Sequence, residues 1–162
     1  QILVGLLAKA AGIDPKSMKY VAYSGGGESK AALLSGDLTA AVSGVSEFKD
    51  LVAAGDVRAL AVSGATGIDA GAGTPAPTIK ESGYDVELMN WRGLVAPPDI
   101  DDAERTAIID LIDRLHASEQ WKQTLADQRW DDFYRSGDEA AAFFESENTR
   151  ITGVLTDIGL AG

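Results

Sequence analysis

At 162 residues the chain fits one ordinary domain, or one domain and part of another, and can bury a core without a metal or disulfide staple. It has no cysteine, which excludes disulfides, thiolate nucleophiles and thiolate metal sites, and no apolar run approaches the roughly 18 residues of a membrane span. A net charge of -11, scattered over predicted helix surfaces, repels nucleic acid, while screening over about 10 Å leaves the local groups of a cleft free to hold an anion.

The first residues already follow a helical recurrence, with Ile2, Leu3, Leu6, Leu7 and Ala10 on one face and no initiator Met or capping residue before them. The expectation is a segment of a longer protein whose preceding strand, loop and any export signal lie upstream. Gly12 and Asp14-Pro15 then predict a turn, and Met18 to Tyr23 a short strand. Ser24-Gly25-Gly26-Gly27 leads into a helix from Glu28 to Leu34, which Gly36 stops. The pattern repeats. Leu38 to Ser43 predicts a strand, Ser46 a cap, Phe48, Leu51 and Val52 one helix face, and Gly55 its end, before a third strand over Val57 to Ser63. Strands alternating with short helices predict parallel βαβ units covered on both faces.

Gly64 to Pro77 reads as a surface loop, closed by the capping pattern Thr78-Ile79-Lys80-Glu81 and by Gly83. Val86 to Ala96 is the longest strand-like stretch, and Pro97-Pro98 ends it by removing two backbone donors. Beyond that point the pattern turns helical. Asp101 or Asp102 caps a helix with a stripe of Ile108, Leu111, Ile112 and Leu115, a second helix covers about Ser118 to Gln128, and Ser136-Gly137-Asp138-Glu139 opens a third bearing Phe144, Ile151 and Leu155. The predicted organisation is an α/β lobe over residues 1–96, incomplete at its start, and a crossover with a mainly helical segment over 97–162. These helices need a sheet or each other to bury their stripes, so self-association into a homo-oligomer is expected.

Few residues suit catalysis. The single histidine, His116, lies beside an apolar stripe, no G-x-S-x-G elbow occurs, and neither H-E-x-x-H nor calcium-loop spacing is present. Asp101-Asp102 and Asp131-Asp132 are adjacent pairs whose carboxylates diverge. No enzyme, metal or cofactor is expected. Gly71-Ala72-Gly73-Thr74-Pro75-Ala76 matches a dinucleotide fingerprint in form, but prolines and a single helical turn follow it where a long helix is required. Ser24 to Gly27 has the better setting, between a strand and a helix. Two readings stay open for it: a tight βα turn, or a loop whose N–H groups approach an anion at a helix N-terminus.

Four stretches in order carry a resemblance. They are Tyr20 to Glu28 with Ala32 to Gly36, Ala54 to Val62 (AGDVRALAV), Pro77 to Val86 (PTIKESGYDV), and Asn90 to Pro97 (NWRGLVAP). Together they resemble the tripartite tricarboxylate transporter receptors, the extracytoplasmic solute-binding proteins also called Bug receptors, over essentially the whole chain, which corresponds to about the second half of a family member. The resemblance implies a type II periplasmic-binding fold whose two α/β domains close on a ligand. It further implies periplasmic or extracytoplasmic localisation with or without a lipid anchor, partnership with the membrane components of the transporter, and capture of small carboxylates: di- and tricarboxylates, acidic amino acids or aromatic acids. The loop matching Ser24 to Glu28 lies at the cleft in that family. The expected ligand residues are therefore Ser24, Gly25, Gly26 and Gly27, joined by Ser43, Gly44 and Ser46 because loops at the carboxyl ends of parallel strands share one edge. Two helix N-termini and the serine hydroxyls then hold a carboxylate, with Glu28 facing solvent. Arg92 falls near the family's crossover, where it supports the anion or braces the hinge. The alternative is an effector-binding or interaction module, such as a LysR-type regulatory domain, which requires a helix-turn-helix upstream and lacks the Ala-Gly-x-Val-Arg-Ala-Leu-Ala stretch.

Overall fold

A computed structural model describes residues 1–71, 73 and 75–160. The chain divides into two compact units, Gln1–Asn90 with the segment from Ile151 onward, and Trp91–Arg150.

In the first unit, α1 (Ile2–Ala10) buries its small residues, Gly5 and Ala8, more deeply than its large ones. Gly5 is where the helix meets Ile158, so closely that a Cβ there would lie 2.5 Å from Ile158 Cγ2. Lys9 pairs with Asp157 beside this contact. Gly12 turns the chain with φ at 72°, and the Asp14 carboxylate accepts the Lys16 N–H at 3.0 Å to start a 3-10 turn over Pro15–Ser17. Next come α2 (Gly26–Leu34) and α3 (Val45–Ala54), each followed by a left-handed glycine, Gly36 and Gly55. The Lys30 ammonium lies 5.9 Å from the centre of the Phe48 ring, linking α2 to α3. A small core gathers Val52, Ala70 and Ala76 with Val57, Ala59, Val62 and Ile68. The expected turn at Thr78 is present as drawn from sequence. Glu81 N–H donates to Thr78 Oγ1 at 3.0 Å and Thr78 N–H donates to the Glu81 carboxylate at 2.8 Å, with Gly83 left-handed after it.

The strands are where the expectation requires correction. Among the described residues, Met18 to Tyr23, Leu38 to Ser43 and Val86 to Ala96 form no ladder, and Val57 to Ser63 contributes one parallel bridge, Val62 to Thr78. The only named sheet is a two-stranded antiparallel pair, β1 (Ile68–Asp69) and β2 (Pro75–Ala76), inside the stretch read as loop. Composition favours an extended backbone, but a strand exists only where a neighbour supplies its N–H and C=O partners. Without such neighbours Tyr20, Val21, Tyr23, Val42 and Leu60 are left exposed. Ala72 and Thr74 of the fingerprint-like stretch lie outside the described residues.

In the second unit Asp101 caps α4 (Asp102–His116): its side chain accepts the Glu104 N–H at 2.8 Å, and Asp101 N–H donates to Glu104 at 3.0 Å. Ser118 caps α5 (Glu119–Gln128), and α6 runs over Gly137–Asp157, continuing into the first unit's segment at Ile151. At the start of α6 the Glu139 carboxylate pairs with Arg135. Trp91 meets Phe143 and Phe144 edge-on, with ring centres 5.5 and 5.2 Å away, and its indole N–H donates to Glu147 at 3.2 Å. Gly93 abuts the same cluster, since a Cβ on it would lie 2.6 Å from Phe144 Cζ.

Candidate functional site

Seven of the eight expected ligand residues lie in the first unit, on the approaches to α2 and α3. Gly25 is the extended residue before α2, Gly26 and Gly27 are the first two residues of the helix, and Ser24 precedes them. Gly44 holds the same place before α3, with Ser43 ahead of it. Ser46, expected to cap this helix, instead sits inside its first turn, because the chain enters the helix at Val45. Each helix thus begins at glycine, whose missing side chain leaves the first N–H groups open to an acceptor from elsewhere.

In both cases the acceptor is a glutamate of the first turn. Glu28 is exposed, as expected, but its carboxylate folds back to take the Ser24 N–H at 3.3 Å. Glu47 does the same at α3, accepting the Gly44 N–H at 3.2 Å and the Ser43 hydroxyl. It also reaches across to α2. A Cβ built on Gly26 would lie 2.6 Å from Glu47 Oε1 and 2.9 Å from Glu47 Cδ. The two glycine-serine loops therefore converge on one carboxylate, and that carboxylate belongs to the chain itself. An acid three residues after the residue preceding the helix is a known capping spacing, so Ser43-Gly44-Val45-Ser46-Glu47 held the signal by which Glu47 was findable. It was passed over because Ser46 was taken as the cap.

Arg92 lies in the second unit, with its guanidinium carbon 4.3 Å from the centre of the Trp130 ring. That is a cation–π contact, which fixes the side chain against its own unit. His116 is also engaged there: it stacks on Tyr134 at 4.0 Å, and its Nε2 lies 2.9 Å from Asp132 Oδ2. Tyr134 bonds Asp113 through its hydroxyl, and burial, reinforced by that carboxylate, raises the phenol above its ordinary value. No group of three or more metal-binding side chains occurs among the described residues.

The family model described as tripartite tricarboxylate transporter family receptor matches residues 1–160. No curated protein and no solved structure matches the chain.

Proposed function

The chain belongs to the tripartite tricarboxylate transporter receptor family, and on that premise we propose that it captures a small carboxylate on the Ser24–Gly27 and Ser43–Ser46 loops. Receptors of this family are extracytoplasmic solute-binding proteins with a periplasmic-binding-protein fold that serve a tripartite transporter. No helix among the described residues is long and apolar enough to cross a membrane. Within that frame our reading adds the type II arrangement, with residues 1–96 as a ligand-binding lobe and 97–162 as crossover and helical segment. The ligand class is a di- or tricarboxylate, an acidic amino acid or an aromatic acid.

One observation carries the assignment of the loops. Both are already built around a carboxylate, that of Glu47, which takes a backbone N–H and a hydroxyl from one loop and lies against the bare Cα of the other. A niche that accepts this group has the donors and the clearance for the same group on a ligand, and needs no cationic side chain. Arg92, stacked on Trp130, is assigned to bracing the segment after Asn90. The test is calorimetric titration of Gly26→Val with succinate, citrate, glutamate and benzoate. Loss of one charge-assisted amide contact weakens binding by roughly 10- to 100-fold. Unchanged affinity for an acid that the wild type binds would remove the loop from the site.

A further inference from the structure

We propose that Glu47 is an internal competitor for the ligand: its carboxylate fills the anion niche of the unliganded protein and must swing out before a solute carboxylate can enter. The inference rests on the assignment of the two loops to the ligand site, and it adds a residue that sets how tightly the site binds.

The geometry leaves room for one occupant. Glu47 Oε2 takes the Gly44 N–H and the Ser43 hydroxyl, while Glu47 Oε1 stands where any side chain on Gly26 would begin. A second carboxylate using those donors would meet the first at contact distance, and like charges that close exclude each other. The occupant is also replaceable. Glu47 is exposed, on the first turn of α3, and no Lys or Arg among the described residues pairs with its carboxylate. A hydroxyl and one amide hold it, so rotation about its own side-chain bonds releases it without moving either helix. Glu28 does not share this role. It bonds only the backbone of its own loop, at Ser24, whereas Glu47 touches both loops.

An internal competitor lowers the apparent affinity by the fraction of time it occupies the niche. A solute must therefore do better than one tethered carboxylate, which favours acids that make additional contacts elsewhere in the protein. Removing the competitor releases that penalty.

The experiment is titration of wild type, Glu47→Gln and Glu47→Ala with succinate, citrate, glutamate and benzoate, with melting curves confirming that each variant folds. Glu47→Gln keeps the size and removes the charge, and Glu47→Ala empties the niche. Both are expected to bind the best of the four acids about tenfold tighter than wild type, and Gly26→Val placed in either background is expected to abolish the gain. Unchanged or weaker binding by both Glu47 variants, while Gly26→Val alone abolishes wild-type binding, would leave the site standing and overturn the competitor. Failure of both variants to bind any of the four acids overturns it too. Should Gly26→Val leave wild-type affinity intact, the assignment of the loops fails first, and the competitor with it.

Discussion

Glu147 is a carboxylate in the one buried charged position of the described residues, and three neighbours make that position tolerable. Arg150 holds it in two 2.7 Å bonds, and the Trp91 indole adds a third donor. The Arg150 hydrogen bonds hold its pKa below the ordinary 4.5, against the opposing pull of burial and with help from Trp91. The direction fixes the sign of its pH dependence. A folded-state value lower than the unfolded one contributes stability that is complete above about pH 4.5 and is lost as pH falls through the depressed value. Glu147→Gln is accordingly expected to destabilise the protein by about 1 to 3 kcal/mol at pH 7, with the gap to wild type closing in acid. Urea unfolding at pH 7 and pH 3 checks this, and an equal gap at both would show that the charge contributes nothing. Sequence gave no hint of the arrangement, because Trp91 and Glu147 stand far apart in the chain and neither belongs to a local motif.

Helices were read well, and the reason is that their signals are local. Asp101 with Glu104, Ser118, and the left-handed Gly36 and Gly55 all act within one turn of the backbone they terminate. Asp101→Ala, which frees the Glu104 N–H, is expected to cost about 0.5 to 2 kcal/mol in thermal or urea unfolding, whereas Asp102→Ala should cost less, because Asp102 is not the capping residue. Equal costs would place the cap elsewhere. Strands were misread for the complementary reason. Met18 to Tyr23 has the composition of a strand, yet pairing depends on segments distant in sequence, and the one stretch that does pair, around Val62, finds Thr78 across a connection read correctly as loop. The site stands between these cases. Its glycine loops were visible because each leads into a helix, but the contact of Glu47 with Gly26 joins two helices, and no periodicity within either one announces it.

At the scale of the whole molecule, the apolar surface is the main consequence of that unpaired backbone. On α4 the half-buried face carries Ile109 and Ile112, while Ile108, Leu111 and Leu115, most of the stripe expected to be covered, are exposed. After the Trp91 cluster, Leu94 and Val95 are exposed to 73% and 88%, and Leu60 in the first unit to 62%. Isolated exposed aliphatics are ordinary, but three on adjacent turns of one helix form a continuous strip, and burying a leucine gains about 1.5 to 3 kcal/mol. The net charge of -11 opposes association at long range and is screened by salt, so apolar contact prevails as ionic strength rises. We therefore expect the chain to self-associate, with the mass from light scattering climbing above that of one chain as protein and salt concentrations increase. Leu111→Lys is expected to shift that rise to higher concentration without altering the melting temperature, since the side chain is already in water. A strictly monomeric mass across the range, or a rise that Leu111→Lys leaves untouched, would mean that α4 is not the face through which copies meet.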